Sequence, residues 1–391
     1  MPLSRRHFFF GSLALPALAA TKTPAERPNI LLILADRLPS WILGCYGNNE
    51  VRTPALDRLA QTGLRFLNHF ACAPASAPGR ATLLAGRTPM QLGDADAASP
   101  GDSPLSQALA GVGYACTAAD SAAAVKSLDG QAAGKPFFLT VDCAYLRPPY
   151  DSVPRKYRDL YAQVKFATFS QEAPAKNAAR DKEMLSDLAL HQRLAAAAVT
   201  ALDDDVAALL ARLSEKALLD QTLIVFTSTC GSLLGRHGLW DSAPASDPPN
   251  MYEEAVATPL VWSWQGHVPP QLTRPELVSA YDLLPTLCAL TGAGLPVRNL
   301  CGRSYLPLAT GKPLPKKQPW RTTVFSHYQN TNMARDKRYK LVLRVPPAPG
   351  ELYDLSVDPR ERVNQYDNPQ FVTLRTSLAA DLARWKQSYS A

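Results

Sequence analysis

Three continuous apolar runs constrain the fold of this chain most strongly. They span residues 29–35 (NILLILA), 136–141 (PFFLTV) and 222–227 (TLIVFT). A short run without polar alternation is typical of a parallel strand that is buried on both faces. Helical patterns lie between the runs: one begins at Thr53-Pro54, an N-cap residue followed by proline, and a long one covers residues 194–213. Strands that alternate with helices predict an α/β fold with a doubly wound, mostly parallel sheet flanked by helices.

Length and composition fit one large domain followed by a smaller unit. The chain has 391 residues, of which 46% are hydrophobic, and this is enough to bury a large core. A lysine- and proline-rich stretch after residue 311 marks a boundary, so we expect an α/β domain over residues 28–311. Residues 312–391 are predicted to form a small α+β subdomain, with strands near 338–343 and 351–355 and a helix over 369–388.

The N-terminus is predicted to be an export signal. Arg5-Arg6 precedes an apolar stretch that ends in small residues, so residues 1–20 resemble a twin-arginine signal peptide. Residues 21–27 are polar and contain proline, as a linker would. A twin-arginine route carries folded proteins out of a bacterial cytoplasm, which predicts a periplasmic location. We expect no membrane span after the signal is removed, because no later apolar run is long enough.

Charge and cysteine usage argue against a nucleic-acid partner and a zinc site. The formal net charge is +7, but the lysines and arginines are dispersed along the chain. Seven cysteines occur without a CxxC or CxxH pair, and their disulfide pairing stays open. Asp203, Asp204 and Asp205 lack the glycine of a calcium loop and are predicted to form a solvated helix face. Protein partners and oligomeric state cannot be read from the sequence.

Two segments are candidates for a functional site. Asp36 comes directly after the first apolar run, at the carboxyl end of the strand, where ligands bind in open α/β sheets. The second segment is SAPGR at 76–80, followed by ATLLAGR. A Ser or Cys two residues before Pro and four before Arg resembles the sulfatase signature, in which that residue is oxidised to formylglycine. Ser76 and Arg80 occupy these positions, and Gly79 stands where Ser or Ala is usual.

Further motifs in the same order extend the resemblance to sulfatases of the alkaline-phosphatase superfamily, from Pro28 to about Pro369. They are LGCYG at 43–47, PPY at 148–150, GRHGLW at 235–240, YEEA at 252–255, GRS at 302–304, YKL at 339–341 and LYDLSVDP at 352–359. The resemblance implies an alkaline-phosphatase-like sulfatase fold and sulfuric ester hydrolase chemistry. It also implies a calcium ion that holds the sulfate oxygens and a formylglycine that attacks sulfur.

The metal positions depart from the family pattern. The family takes calcium ligands from an Asp-Asp pair after the first strand and an Asp-Asn or Asp-His pair after a later one. Here the pairs read Asp36-Arg37 and Thr229-Cys230, so Asp36 alone is retained. Calcium takes about six to eight oxygen ligands, and Arg37 would repel it. We therefore expect no cofactor; calcium, and formylglycine at Ser76, would apply only to an active enzyme.

The positions that bind sulfate and transfer protons in the family are also substituted. A Lys-x-His element reads SAA at 121–123, Arg147 replaces a His, and Ser242 stands where a Lys is usual. General acid catalysis, which contributes roughly a hundredfold or more, then lacks a proton donor. New guanidinium groups could still match a tetrahedral oxyanion. The anion-binding residues that this predicts are Arg37, Arg147, His237 and Ser242, with Arg80 beside them.

Several of these residues have a structural alternative. The Ser76 to Arg80 turn could be kept because it packs under the helix that follows. His237 could order backbone carbonyls of its glycine-rich loop. Asp36 could pair with Arg37, Arg80 or Arg147 instead of binding a metal ion.

Three functions are therefore open. The first is a catalytically impaired sulfatase, a pseudoenzyme that retains an anion-binding cleft for a sulfated saccharide or an aryl sulfate. The second is an active serine-type sulfatase or a related phosphoester hydrolase, which would rely on metal. The third is an exported structural or partner-binding protein in which the cleft has no role. The number of carboxylates at the strand ends favours the first.

Overall fold

The computed structural model describes residues 27–93, 99–131, 134–150, 152–314 and 318–390. The predicted signal peptide, residues 1–20, lies outside the described residues, as does the predicted linker apart from Arg27. Residues 315–317, next to the predicted domain boundary, lie outside as well.

Strands and helices alternate along the first two thirds of the chain. The strands are β1 (Asn29–Ala35), β2 (Leu64–Phe70), β3 (Ala115–Asp120), β4 (Phe137–Cys143), β5 (Thr222–Ser228), β6 (Leu260–Ser263), β7 (Leu272–Ser279), β8 (Val324–Tyr328), β9 (Thr331–Arg335), β10 (Tyr339–Arg344) and β11 (Glu351–Asp354). The helices are α1 (Pro54–Gln61), α2 (Ser76–Ala85), α3 (Pro89–Leu92), α4 (Pro104–Ala110), α5 (Ser121–Ser127), α6 (Arg155–Tyr161), α7 (Lys182–Ser186), α8 (Leu188–Glu215), α9 (Glu253–Val256), α10 (Leu283–Thr291), α11 (Leu306–Ala309) and α12 (Val372–Tyr389).

The three apolar runs form the centre of the main sheet. Among the described residues this sheet has the strand order β3-β4-β1-β5-β6-β2-β7. Strand β1 pairs in parallel with β4 on one side and β5 on the other. Strand β6 runs antiparallel to both β5 and β2, while β3 and β7 pair in parallel with their neighbours. The prediction of a doubly wound, mostly parallel α/β fold is confirmed.

The core lies on both faces of this sheet, as the unbroken apolar pattern of β1 predicts. Leu31, Ile33 and Ala35 pack into a cluster that includes the apolar face of α8. The alternate residues of β1 pack into a second cluster with α4 and α10; they are Ile30, Leu32 and Leu34. Strand β1 is therefore fixed from both sides, and the residues that follow it are held in place.

One expectation about α8 is wrong. Asp203 is only 1% exposed, and its two carboxylate oxygens accept hydrogen bonds from the backbone N–H groups of Ala55 at 2.9 Å and Leu56 at 2.8 Å. Burial raises the pKa of Asp203 to about 6, against the effect of these two donors. Asp203 thus caps α1 from a neighbouring helix. Thr53 precedes α1 as predicted, but its Oγ1 accepts from the backbone N–H of Gly44 at 2.9 Å and does not cap the helix.

A second, antiparallel sheet forms the predicted C-terminal α+β subdomain. Among the described residues its strand order is β11-β10-β9-β8, and α12 packs against it. Lys340 of β10 is fully buried and contacts the main domain through Glu253, which lies 2.8 Å from its Nζ, while Glu361 of the subdomain itself lies at 2.7 Å. No helix in the described part of the chain is long and apolar enough to cross a membrane. The exact boundary at residue 312 stays a prediction.

Candidate functional site

The carboxyl edge of the main sheet collects most of the candidate residues. Asp36 follows β1, Arg147 lies in the loop after β4, and Thr229 and Cys230 follow β5. Since these three strands are adjacent and parallel, their carboxyl ends meet at one place. Ser76 is the first residue of α2.

Asp36 is buried with both carboxylate oxygens hydrogen-bonded. Oδ1 accepts from Oγ1 of Thr229 at 2.6 Å, and Oδ2 accepts from Nε of Arg147 at 2.5 Å. Burial opposes the charge of Asp36, but Thr229 and Arg147 outweigh it and hold the pKa of Asp36 below its usual value. Of the three arginines proposed from the sequence as its partners, Arg147 makes the direct contact.

Arg37 lies in the same cluster, and its backbone is in the left-handed region with φ of 58°. Its Nε donates to Oγ of Ser76 at 3.0 Å, and its Nη1 donates to Oδ2 of Asp241 at 2.8 Å. Burial opposes the charge of Arg37, but Asp241 and Asp36 outweigh it and raise the pKa of Arg37 above its usual value. Arg37 is therefore a fixed cation at this edge of the sheet.

Helix α2 packs directly against the loop that follows β5. A Cβ atom at Gly79 would lie 2.2 Å from the carbonyl oxygen of Thr229 and 2.9 Å from that of Ala73. Only glycine fits this approach, which explains why neither Ser nor Ala stands at this position. The contact brings Ser76, at the start of the helix, into reach of Arg37.

Arg80 contacts a carboxylate that the sequence did not identify. Its Nη1 donates to Oδ1 of Asp142, the residue of β4 that is paired in register with Leu34 of β1. Arg37, Arg80 and Arg147 thus each face a different carboxylate. A ligand can therefore hydrogen-bond only to the guanidinium N–H groups that do not already donate to these carboxylates.

Thr229 and Cys230 are the pair that the family resemblance places at metal-ligand positions. The backbone N–H of Thr229 donates to the carbonyl of Ala35 at 3.0 Å, which continues the β1–β5 ladder. Cys230 is fully buried. Burial, reinforced by the charges of Asp36 and Asp241, raises the pKa of Cys230 to about 12, so its thiol stays protonated at neutral pH. It offers neither a thiolate ligand nor a nucleophile.

His237 contacts a different set of residues. Its ring stacks on Tyr252 with 3.6 Å between centroids, and its Nε2 lies 3.5 Å from Oε2 of Glu254. Burial opposes the charge of Glu254, but His237 and Arg236 outweigh it and lower the pKa of Glu254 to about 2. No hydrogen bond or ring contact between described residues links His237 with Asp36.

Ser242 contributes to the site through hydrogen bonds of its backbone. Its N–H donates to Oδ1 of Asp241 at 2.7 Å, and its carbonyl accepts from Nδ2 of Asn250 at 3.1 Å. The side chain of Ser242 is buried. Ser242 therefore helps to hold Asp241 toward Arg37.

Sequence reasoning missed four residues at this edge. They are Asp241 and Asp142, which pair with Arg37 and Arg80, and Asp181 and Tyr150, which have φ of 53° and 71°. Within the described residues, the buried Oδ2 of Asp181 and the buried hydroxyl of Tyr150 have no hydrogen-bond partner. Burial and the charge of Asp241 raise the pKa of Asp181 above its usual value. Two signals were available: Asp241 directly follows the GRHGLW motif, and Tyr150 ends the PPY motif.

The donor set does not fit the calcium ion that the family resemblance implies. Both oxygens of Asp36 already accept hydrogen bonds, and the next residue is a cation. Among the described residues, no three His, Cys, Asp or Glu side chains come together in a way that could hold a metal ion. Ser76 receives its hydrogen bond from Arg37, which cannot accept a proton and so cannot serve as a general base.

Family models and solved structures match nearly the whole of this architecture. A model described as "Sulfatase" matches residues 28–120 and 117–293, and one described as "N-sulphoglucosamine sulphohydrolase, C-terminal" matches residues 235–388. Arylsulfatase A of Homo sapiens is 27% identical over 450 residues, covering 89% of this chain and 85% of that protein. An ulvan-active sulfatase of Formosa agariphila is 24% identical over 429 residues, covering 93% and 81%.

Two solved structures illustrate the similarity of fold. One, described as a complex with its substrate D-glucosamine-2-N,6-O-disulfate, has a TM-score of 0.79 at 20% identity and covers 93% of this chain and 98% of its own. The other is a phosphonate monoester hydrolase of Agrobacterium radiobacter, with a TM-score of 0.76 at 20% identity, covering 93% and 96%.

Proposed function

This chain belongs to the sulfatase family of the alkaline-phosphatase superfamily, and we propose that it is a member that binds an anionic ligand without hydrolysing it. One observation carries the proposal: Asp36, the retained metal position, is a buried carboxylate with both oxygens hydrogen-bonded by Thr229 and Arg147. Sulfate-ester hydrolysis needs an activated nucleophile and a proton donor, and the contacts of Ser76 supply neither. The protein would need neither calcium nor formylglycine.

Arg147 is the main ligand-binding residue in this proposal. Its Nε contacts Asp36, but its two terminal NH₂ groups have no hydrogen-bond partner among the described residues. Its side chain is 50% exposed, whereas that of Asp36 is 1% exposed. The buried carboxylate thus holds a guanidinium whose outer edge faces solvent. Such an edge can donate two parallel hydrogen bonds to a tetrahedral oxyanion.

Arg37 would be a second residue that binds the anion. Its Nε and Nη1 are occupied by Ser76 and Asp241, while its Nη2 has no partner among the described residues. Its side chain is 24% exposed, so this group can still reach a ligand. Arg80 is turned to Asp142, and Ser242 and His237 support the surrounding loops.

The ligand class is a sulfated saccharide or an aryl sulfate. A similar fold binds D-glucosamine-2-N,6-O-disulfate in one solved structure, which supports a sulfated sugar here. Charge-assisted hydrogen bonds of two or three groups give an affinity on the order of millimolar to micromolar after association costs. Binding should weaken as ionic strength rises through about 0.15 M. The location would be the periplasm, reached through the signal-like residues 1–20.

The test combines binding and turnover on the mature protein. Titration with D-glucosamine-2-N,6-O-disulfate and with an aryl sulfate is compared between the wild type and the variants Arg147→Ala and Arg155→Ala. Arg155 is an exposed arginine of α6 and serves as the matched control. We expect binding that Arg147→Ala weakens at least tenfold and Arg155→Ala leaves unchanged, with no release of sulfate or phenol.

Other outcomes identify the alternatives. Turnover of a sulfate ester that Ser76→Ala abolishes would establish the serine-type sulfatase. Turnover of a phosphonate monoester instead would agree with the hydrolases that share this fold. Absence of both binding and turnover would leave the structural or partner-binding protein.

A further inference from the structure

Lys340 of β10 connects the small subdomain with helix α9 of the main domain. It is fully buried, and its Nζ lies 2.8 Å from Oε1 of Glu253 and 2.7 Å from Oε1 of Glu361. Nζ also donates to the carbonyl of Met251, just before α9, at 2.8 Å. Glu361 lies in the loop between β11 and α12. We propose that Lys340 and Glu361 are positioning residues, which hold α9 and, through it, the loop that follows β5 at the candidate site.

Glu361 connects the backbone of α9 with this lysine. Its Oε2 accepts a hydrogen bond from the backbone N–H of Glu253, the first residue of α9, at 2.6 Å, while its Oε1 faces Nζ of Lys340. The side chain of Glu361 is 1% exposed, and a buried carboxylate is costly without a cationic partner. Burial raises the pKa of Glu361 against the effect of Lys340. Without the lysine the neutral acid would be favoured, and the charge-assisted bond to α9 would weaken.

Helix α9 in turn packs against the loop that carries Thr229. The backbone N–H of Gly231 donates to the carbonyl of Ala255 at 2.9 Å, and a Cβ atom at Gly231 would lie 2.0 Å from the carbonyl oxygen of Glu254. Only glycine permits this approach of two backbones. Thr229, two residues before Gly231, donates to Asp36 at 2.6 Å. A shift of α9 would therefore move the loop that supports this buried carboxylate.

A second contact joins α9 to the same segment, residues 229–241. Oε1 of Glu254 accepts from Nη1 of Arg236 at 3.0 Å. Arg236 lies in the turn that leads to Asp241, whose Oδ2 accepts from Nη1 of Arg37 at 2.8 Å. The segment thus holds a carboxylate and a guanidinium of the candidate site, and α9 contacts it at two places.

Hydrogen exchange of the whole protein, read by mass spectrometry, tests the inference without a ligand. Lys340→Met is compared with Lys337→Met, the same substitution at an exposed lysine three positions away. We expect exchange in residues 229–241 to become roughly tenfold faster in Lys340→Met and to stay unchanged in Lys337→Met. Backbone carbonyls accept from several amides of this segment, namely those of Thr229, Gly231, Leu233, Leu234 and Gly235.

Two internal references make the result specific. Exchange in β1 and β4 should rise less than in residues 229–241, because a loss of global stability alone would accelerate exchange in all of them. Lys340→Met combined with Glu361→Gln removes both charges and keeps an oxygen that can accept from the N–H of Glu253. We expect this double variant to regain about half of the lost protection on a logarithmic scale. If Lys340→Met does not fold, Glu361→Gln alone replaces it and should accelerate exchange in the same segment.

Three outcomes of the exchange experiment would overturn the proposal. One is equal exchange of residues 229–241 in Lys340→Met and Lys337→Met. The second is an increase of the same size in β1, β4 and this segment. The third is a double variant that exchanges as fast as Lys340→Met.

A binding measurement gives a second test, which rests on the proposed function. The dissociation constant for D-glucosamine-2-N,6-O-disulfate should be about threefold higher or more for Lys340→Met than for Lys337→Met. Equal affinity of the two variants would contradict the positioning role. Absence of binding by the wild type as well would count against the proposed function, and the exchange result would then decide this inference by itself.

Discussion

Arg147 and Asp36 form an ion pair across the carboxyl edge of the sheet, with 2.5 Å between Nε and Oδ2. The two residues are 111 positions apart in the chain, and the pair is buried on the carboxylate side and half-exposed on the guanidinium side. Both oxygens of Asp36 accept hydrogen bonds, and Arg147 has a fixed position with terminal donor groups that have no partner among the described residues. The same contact therefore argues against a metal ligand and for an anion-binding group.

Removal of Arg147 should destabilise the protein through Asp36. Arg147→Ala leaves a buried carboxylate with Thr229 as its side-chain donor, and we expect a loss of about 1–3 kcal/mol in the free energy of unfolding. In an Asp36→Asn background the same substitution should cost less, because no charge is left unpaired. Urea unfolding of the wild type, the two single variants and the double variant measures this coupling. Additive losses would show that the ion pair contributes nothing.

Low pH should reduce the stability of the folded wild type more than that of Asp36→Asn. The folded state holds the pKa of Asp36 below its usual value, while in the unfolded chain an Asp has a pKa of about 3.9. A lowered pKa contributes stability that is present above about pH 3.9 and is lost as the pH falls through the folded value. We therefore expect the free energy of unfolding to drop more steeply in the wild type below about pH 4. Other titrating groups, such as Asp203, are the same in both proteins. Parallel pH profiles would contradict the prediction.

The sequence predicted the centre of the fold because that part is encoded locally. Strands β1, β4 and β5 contain unbroken apolar runs. Asp36 was identified from the end of β1, whereas Thr229 and Cys230 after β5 were identified from the family pattern. Strand β2, in contrast, has the sequence LRFLNHF, and β6 has four residues, so neither shows a clear hydrophobic periodicity from which a strand could be predicted.

The site was predictable only in part, since its contacts join distant positions. The partner of Arg37 is Asp241, 204 positions away, and a single sequence carries no signal for that pairing. The prediction that Asp203 is solvated failed for the same reason. The pattern of α8 shows a polar residue at this position, but the N-terminus of α1 packs against it. Polar residues that are buried by tertiary contacts are the ones that local patterns assign to solvent.

Gly79 should tolerate no side chain. The Cβ of Gly79→Ala would lie 2.2 Å from the Thr229 carbonyl, so α2 must shift and Ser76 must move from Arg37. We expect a loss of about 1–3 kcal/mol in the free energy of unfolding. Gly130→Ala is the matched control, because a Cβ there meets no atom within 4 Å in the described part of the chain beyond its own neighbours, and it should change stability by less than about 0.5 kcal/mol. Equal stability of the two variants in urea unfolding would contradict the packing of α2 described above.

His237 should matter for stability and not for ligand binding. His237→Asn removes the ring from Tyr252 and Glu254 while asparagine tolerates the left-handed φ of 56° at this position. We expect a loss of about 1–2 kcal/mol in the free energy of unfolding, since the buried Glu254 loses a partner. The dissociation constant for the anion should stay within about twofold of the wild type, a difference of less than about 0.5 kcal/mol. Weakening as large as that of Arg147→Ala would place His237 in the anion-binding site instead.

Ser76 should carry an unmodified hydroxyl in protein isolated from its natural host. Tryptic cleavage after Arg65 and Arg80 releases residues 66–80 as one peptide. Formylglycine would make this peptide lighter by the mass of two hydrogens, so a synthetic peptide of the same sequence is the mass standard. We expect the unmodified mass, because Ser76 contacts a guanidinium that cannot take its proton and no metal site lies among the described residues to use the aldehyde hydrate. A mass lower by two hydrogens in most molecules would favour the active serine-type sulfatase over the anion-binding pseudoenzyme.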